Sequence, residues 1–380
     1  MSPNEMIEKH VLISTCAMNQ HALDFKGNYE RIRSTIITAK QNNSKIRVGS
    51  ELEITGYSCQ DHFYEGIPAL RLYNHKTFFK VLTKFGQSLI ETNDGCIGFE
   101  ICEELFTAKP PHIDMFLSSA EIIINNSSSY FELGKLSKRV KFMKSATLKC
   151  GGIYVYGNQR GCDGDRLYFD GSPMIISNGR VLAIGMQFSL NETEVVTASV
   201  DIDEVRMYRS SISSFYNQSN CAPEFHRIFI DFDIKQSNIP QTDPVIVEYL
   251  KPEEEINLGP ACWMWDYLRK TNMAGGYFIP LSGGIDSCSA AIIAYSMCFL
   301  ILNAIQNGDE KVYSDLKRIV GLPSDSTWAP KTPKEISNLL IHTCYMATEN
   351  SSNETRNRSV MIATEIERYS FIVFYIIYLM

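Results

Sequence analysis

Apolar residues gather into short uninterrupted runs in the first half of the chain, at residues 11–15, 46–48, 95–101, 121–125 and 153–158. Runs of this length, rich in Val and Ile and closed by polar turns, predict buried strands. Between them the period changes. Ile32, Ile36 and Ile37 recur at helical intervals in a stretch that begins at Asn28, and Val140, Met143 and Leu148 mark the apolar side of a basic helix over 137–150. Further β patterns follow at 173–176, 181–184 and 195–200, and residues 231–247, polar and carrying Pro240 and Pro244, read as a linker. Beyond it the pattern predicts a helix with Trp263, Trp265 and Leu268 as core residues and a strand over 276–281. A largely buried apolar helix over 288–306, a helix from Thr332 to about Thr348 and another over 358–367 come next. The last apolar run, 371–380, is shorter than the roughly 20 residues that span a bilayer. Strands alternating with helices give an α/β class, whose ligands gather at the carboxyl ends of strands.

Bulk properties narrow the class. A chain of 380 residues with 44% apolar content has room for two or three domains of about 150 residues. With 36 basic and 43 acidic residues the net charge is -7, so there is no basic footprint for nucleic acid. The first nine residues lack the apolar core of a signal peptide. Eleven cysteines without a Cys-x-x-Cys pair argue against a zinc site and a disulfide framework and predict a reducing, cytoplasmic setting.

Two regions then carry candidate chemistry. Glu51 stands just past the strand at 46–48, and Cys102 ends the strand at 95–101 where Glu103 and Glu104 begin what has the composition of a first helical turn. A helix N-terminus favours a thiolate over the ordinary thiol with its pKa of roughly 8.5, so this is a nucleophile's position, whereas Cys96 inside the strand reads as structural. Asn125-Asn-Ser-Ser-Ser129 forms a polar turn at another strand end, and the charged group Arg160, Asp163, Asp165 and Arg166 reads as a solvated loop. The second region is Pro280, Leu281, Ser282, Gly283, Gly284, Ile285, Asp286 and Ser287, between a strand and an apolar helix. Gly283 and Gly284 allow backbone N–H groups to close on a phosphate, Ser282 and Ser287 add hydroxyls, and the helix end adds positive potential. Asp286 would repel phosphate unless Mg2+ joins them, which makes it the candidate metal ligand. No lysine sits in the turn, so it is not a Walker loop.

Ser282-Gly-Gly-Ile-Asp-Ser287 resembles the pyrophosphate loop of the ATP pyrophosphatases. Cys16-Ala-Met-Asn-Gln20, Glu51-Leu-Glu-Ile-Thr-Gly-Tyr57, Cys102-Glu-Glu-Leu-Phe106, Gly151-Gly-Ile-Tyr154 and Asn158-Gln-Arg-Gly-Cys-Asp-Gly-Asp165 resemble the nitrilase-type domain of eukaryotic glutamine-dependent NAD synthetases. Leu258-Gly-Pro-Ala-Cys-Trp-Met-Trp-Asp-Tyr-Leu268 and Cys344-Tyr-Met-Ala-Thr-Glu-Asn-Ser-Ser352 resemble their synthetase domain. The matches run in order from Cys16 to about Arg358.

The resemblance implies a nitrilase-like αββα sandwich, incomplete, over 1–230, a linker over 231–252, and part of an ATP-pyrophosphatase doubly wound parallel sheet over 253–380. It implies two reactions: glutamine hydrolysis to ammonia, and ATP- and Mg2+-dependent adenylation and amidation of deamido-NAD, by a homo-oligomer that takes no nucleic acid and no membrane as partner. Cys102 would be the nucleophile, Glu51 the general base, Glu103 and Ser129 the holders of the glutamine amino-acid end, and Ser282 a catalytic donor in the nucleotide loop. The family triad also has a lysine, in an Arg-Pro-Lys context after the motif matched by Asp61-His-Phe-Tyr-Glu65, and this chain lacks that block. Lys76, Lys80 and Lys84 lie in the interval at i, i+4 spacing, the pattern of a solvent-exposed helix face. The chain also ends before the family's does, so an incomplete product is expected. Losing one oxyanion-stabilising group removes about 2.7 to 4 kcal/mol, which predicts glutamine hydrolysis orders of magnitude below the family's. Two other readings are an amidase without synthetase activity and a non-catalytic regulatory form.

Overall fold

The computed structural model describes residues 9–64, 86–237, 239–271, 275–347, 351–366 and 370–374. Lys76, Lys80 and Lys84 lie outside these residues. The chain divides into two compact units, the first formed by Met1–Asp163, Phe169–Gln187 and Glu192–Tyr249, the second by Gly164–Tyr168, Phe188–Asn191 and Leu250–Met380.

In the first unit the order is β1 (Lys9–Met18), α1 (Phe25–Gln41), β2 (Ile46–Val48), β3 (Ser88–Glu91), β4 (Cys96–Ile101), α2 (Pro111–Leu117), β5 (Ile122–Asn126), α3 (Lys135–Cys150) and β6 (Ile153–Cys162). Then come β7 (Tyr168–Asp170), β8 (Met174–Ser177), β9 (Arg180–Ile184), β10 (Thr193–Val200), α4 (Ile202–Ser210), α5 (Ser213–Ser219), β11 (His226–Phe229) and β12 (Gln236–Ser237). Their sheet runs β10-β1-β6-β5-β4-β3-β11. Strands β4, β5 and β6 pair in parallel, and β6 joins two layers: residues 153–156 pair with β5 and β8, while Asn158 and Gln159 pair with β1.

Alternation along the strands shows why the runs are apolar throughout. Ile122, Ile124, Ile153 and Val155 enter one core with Val11, Ile13, Ile175 and Val200, between strand layers. Ile123, Tyr154 and Tyr156 point the other way, into a core shared with Phe116, Val140 and Met143 of α2 and α3. Burial on both faces is what the uninterrupted pattern encodes, and sheet against sheet with helices outside is the nitrilase-like architecture. Residues 231–245 are tied to this unit: β12 pairs with β1, and Val245 N–H donates to Val181 O at 2.8 Å.

Several predicted faces need correction. Helix α1 turns Asn28, Thr35 and Ala39 inward and leaves Ile36 and Ile37 exposed. Asn28 and Thr35 are buried because Arg31 and Arg47 donate to them at 2.7 Å each, so a polar network replaces an apolar stripe. In α3, Val140 and Met143 are buried, but Leu148 is 53% exposed and the fully buried Arg139 takes an inward position, paired with buried Asp170 at 2.9 and 2.6 Å. Arg160 is likewise no loop residue; it lies buried on β6 in an ion pair with Glu194, while Asp165 and Arg166 are exposed.

The second unit holds α6 (Pro252–Lys270), β13 (Tyr277–Pro280), α7 (Ile285–Gln306), α8 (Glu310–Ile319), α9 (Pro333–Leu340), β14 (Ile341–Ala347), α10 (Asn353–Ile366) and β15 (Ser370–Phe374). Strands β13, β14 and β15 pair in parallel in that order. Trp265 and Leu268 are fully buried, whereas Trp263 is half-buried and stacks on Tyr267. The helix expected to run to Thr348 stops at Leu340, because Ile341, Thr343, Cys344 and Tyr345 supply a buried strand between its neighbours. Among the described helices only α7 is long and apolar enough to cross a membrane, by length and composition alone. It is less buried than its sequence suggests: 33% of its most apolar window is covered, with Ala291 packed against Leu281, Ala363 and Ile366, and Ile285 82% exposed.

Candidate functional site

The carboxyl ends of β2, β4 and β5 converge beside the second half of β6. Past β2 the backbone runs through Gly49 so close to Gly157 that a Cβ on Gly157 would stand 2.3 Å from Gly49 O, so glycine is required for the approach. Asn126 Nδ2 donates to Gly49 O at 2.7 Å, and Ser127 N–H to Gly157 O at 2.9 Å. Two residues on, Glu51 is half-buried next to the Ser127–Ser129 turn, with a Ser128 hydrogen bond to its carboxylate. Burial raises the Glu51 pKa and the Ser128 bond only partly offsets it. Glu53, two residues further, instead forms an ion pair with Arg47 at 2.7 Å.

Cys102 follows β4 and opens a single 3-10 turn, Cys102–Phe106, with φ of 43°. That left-handed backbone is unfavourable for a residue with a Cβ, and such strain is characteristic of functional turns. The thiol behaves contrary to the sequence expectation. Burial and then the Glu51 charge push its pKa up, and hydrogen bonds from Ser128 and Ser127 and the charge of Lys135 only partly oppose them. One 3-10 turn has little aligned dipole, and the neighbouring carboxylate outweighs it. The Glu51 charge disfavours the Cys102 thiolate, so the proton stays on sulfur until a step draws it to the neighbouring carboxylate. Cys96, by contrast, is a buried structural cysteine whose thiol is pushed up to about 11.

The other predicted residues are placed less decisively. Ser129 is buried, and its backbone is locked by Asn158, whose Oδ1 accepts its N–H at 2.9 Å. Glu103 is exposed on the 3-10 turn. Sequence reasoning missed Tyr57 and Lys135. The Tyr57 pKa is raised by burial and then by Glu51 and Cys102, while Lys135 lies over the Tyr130 ring at 3.8 Å and within 3.5 Å of Glu132. A cavity of about 460 Å³ on the helical side, lined by Leu105, Phe106, Ile113, Phe142, Ala146 and Phe215 among others, includes none of the predicted site residues.

In the second unit, α7 begins at Ile285, three residues before the predicted start, so Ile285, Asp286 and Ser287 form its first turn behind the cap Gly284. Gly283 has φ of 77°, and a Cβ there would stand 2.0 Å from Thr355 O. Leu281 is fixed on both sides of its peptide, donating to Cys344 O and accepting from Ser359 Oγ, each at 2.8 Å. Pro280 and Ser282 are exposed, and the Ser282 and Ser287 hydroxyls meet at 3.0 Å. A left-handed glycine, free N–H groups of a helix start and two hydroxyls fit an oxyanion such as phosphate. Among the described residues no group of three or more His, Cys, Asp or Glu could hold a metal, so Mg2+ at Asp286 would take its other oxygens from phosphate and water.

The family model of the carbon-nitrogen hydrolases matches residues 12–73 and 67–210, which takes in strands β2 to β10, most of β1, and both Glu51 and Cys102. The chain belongs to the carbon-nitrogen hydrolase family. The chain is also 41% identical to the glutamine-dependent NAD(+) synthetase of Saccharomyces cerevisiae over 94% of its length, and 38% identical to that of Homo sapiens over 94%. It spans 62% of the length of each. The yeast alignment runs over 446 positions, more than the chain's 380 residues, so the chain lacks internal residues that its relative carries. Solved glutamine-dependent NAD(+) synthetases from Cytophaga hutchinsonii and, in complex with ADP, Acinetobacter baumannii share the fold, with TM-scores of 0.67 and 0.66 at 21% and 15% identity. Each match covers 96% of this chain and 65% of the other.

Proposed function

We propose that the chain is a glutamine-dependent NAD synthetase in its chemistry, with glutamine, ATP and deamido-NAD as substrates. The observation that carries this reading is the presence in one chain of a Cys102–Glu51 pair at converging strand ends and a Ser282–Ser287 loop suited to phosphate, and its 41% identity to a relative named glutamine-dependent NAD(+) synthetase supports it. Residues 1–230 then act as the glutaminase domain and 253–380 as part of the synthetase domain. Eleven free cysteines support a reducing cytoplasmic setting, and we infer a homo-oligomer as the working assembly.

In the first reaction the Cys102 thiol gives its proton to Glu51 as Sγ bonds to the glutamine carboxamide carbon. Glu51 returns the proton to the amide nitrogen as the C–N bond breaks, releasing ammonia and leaving a thioester. Water, deprotonated by Glu51, then cleaves the thioester to glutamate and restores the thiol. The raised Glu51 pKa suits a group that must both take and give a proton. Lys135 is the cation acting on Cys102 among the described residues and supplies positive charge near the developing oxyanion. Ser129 and Glu103 hold the amino-acid end. In the second reaction the N–H groups at 283–287 and the Ser282 and Ser287 hydroxyls bind the ATP phosphates, with Asp286 as metal ligand. Bound Mg2+ would neutralise charge on the leaving pyrophosphate.

Purified chain is expected to release ammonia from glutamine, and Cys102→Ala to lower that rate at least about 10³-fold. Pyrophosphate release dependent on both ATP and deamido-NAD is expected in the same preparation. Ammonia release without pyrophosphate would leave an amidase; neither activity would leave a non-catalytic form.

A further inference from the structure

Beneath Cys102 lies a group of buried polar side chains that the reaction does not touch. Glu100 and Asn125 are fully buried, as is Tyr154, and His112 is 4% exposed. A carboxylate in that setting is costly unless every lone pair is satisfied. Here it is. Glu100 Oε2 accepts the His112 backbone N–H at 3.1 Å and His112 Nδ1–H at 2.8 Å, and Oε1 accepts from the Tyr154 hydroxyl and from Asn125 Nδ2 at 3.2 Å. Asn125 Nδ2 also donates to Tyr154 Oη at 3.0 Å. The other end of the same amide faces the nucleophile: Asn125 Oδ1 accepts the Cys102 backbone N–H at 3.1 Å and the Ser127 hydroxyl at 2.6 Å.

An ionised carboxylate only accepts hydrogen bonds, whereas an asparagine amide accepts at one end and donates at the other. Glu100 therefore turns Nδ2 of Asn125 toward itself and Oδ1 toward the Cys102 N–H, an orientation in which Nδ2 also reaches Cys102 O at 3.5 Å. Reversed, the amide would present N–H to N–H and leave the Cys102 donor unpaired. The Cys102 backbone, held at φ of 43°, needs such a restraint to stay left-handed.

We propose that Glu100, with Tyr154 and His112, is a positioning group that orients the Asn125 amide, and that Asn125 in turn fixes the Cys102 turn so that Sγ faces Glu51. This rests on Cys102 and Glu51 being the reacting pair, and goes beyond it by assigning four residues that touch neither substrate nor thiol. The network is a positioning device, built before glutamine binds.

The test is a cycle on the full chain that does not need glutamine. Carbamidomethylation of Cys102 by iodoacetamide is followed by peptide mass spectrometry, with exposed Cys221 as the reference in the same molecule. Glu51→Gln removes the negative charge facing the thiol and is expected to raise Cys102 alkylation about threefold or more in the otherwise unchanged chain. In an Asn125→Ala background the same change is expected to leave the rate within about twofold, because Sγ no longer faces residue 51. His112→Asn, which keeps an N–H near the Nδ1 position, should retain the Glu51 effect, and His112→Ala should lose it. Should Asn125→Ala not fold, Tyr154→Phe removes a single oxygen and carries the same expectation at smaller amplitude. In glutamine hydrolysis the network variants should lose about tenfold or more in kcat with KM within about twofold. An equal Glu51 effect in parent and network variants overturns the proposal. A parent chain without glutamine turnover but with the alkylation cycle intact overturns the proposed function and leaves the positioning role standing.

Discussion

Two turns in this chain share a plan, strand into a turn with one left-handed residue, Cys102 or Gly283, into helical residues, and differ in what holds them. The Cys102 turn is fixed from below by side chains with no exposure to solvent, and its strained residue is gripped through its own N–H. The Ser282–Ser287 loop is tied to its neighbours through the Leu281 peptide and closed by short local bonds: Ser282 is exposed, its hydroxyl meets that of Ser287 and accepts the Gly284 N–H at 3.3 Å, and Ser287 Oγ donates to Gly284 O at 3.1 Å. The first has its donors assigned before substrate arrives, as a site that must place one sulfur requires. The second keeps N–H groups and hydroxyls available, as a site that must surround a triply oxygenated group requires. Under the proposed function, the rigid turn is the one that forms a bond to the substrate and the looser one is the one that only binds.

The comparison breaks most sharply if the first unit's buried polar frame is removed. Asp170→Ala leaves the fully buried Arg139 unpaired and should cost about 3 to 5 kcal/mol. All three tryptophans, Trp263, Trp265 and Trp328, fall in the second unit, so indole emission in a urea titration reads that unit alone. Protection of buried Cys16 against a thiol reagent reads the first. Cys16 protection is expected to be lost at much lower urea in Asp170→Ala, with the emission midpoint moving less.

A smaller effect sharpens the other side. Gly283→Ala places a methyl against Thr355 O and imposes a left-handed residue, at about 1 to 2 kcal/mol for the backbone alone. Mg-ATP binding by calorimetry should weaken, and Cys102 alkylation should not change. The smallest effect is the pH response of Glu100. Burial would raise its pKa, but hydrogen bonding and attraction from His112, then hydrogen bonds from Tyr154 and Asn125, outweigh burial and hold it below the usual 4.5. The stability from its ionised form is therefore complete above the unfolded value and is lost as pH falls through the lowered folded value. The Tm difference between parent and Glu100→Gln should be constant near neutrality and shrink below about pH 4.

What could be read in the sequence follows from burial. Strands β1, β5 and β6 were legible because both of their faces are covered, which forces apolar runs, and β4 was legible through its buried start at Cys96–Gly98 although Phe99 and Ile101 are exposed; β11, with all four residues exposed, left no such pattern. The inward face of α1 was illegible because Asn28 and Thr35 are buried through hydrogen bonds made by distant arginines. Residues 341–347 could serve a helix or a strand by composition, and pairing with β13 decides between them. Glu51 and Cys102 were legible from position at strand ends, but the direction of the Cys102 pKa was not. It depends first on how deeply the thiol is buried and then on the Glu51 charge beside it, neither of which is written in the local sequence.

The left-handed turn at Cys102 also has an evolutionary side. Glycine adopts that backbone freely, so selection for stability alone would favour Cys102→Gly, which relieves the strain while removing the sulfur. A lineage that kept the fold but no longer needed the reaction should drift to glycine at this position early. Cysteine retained at a position where glycine is the more stable residue is therefore a record of selection for reactivity.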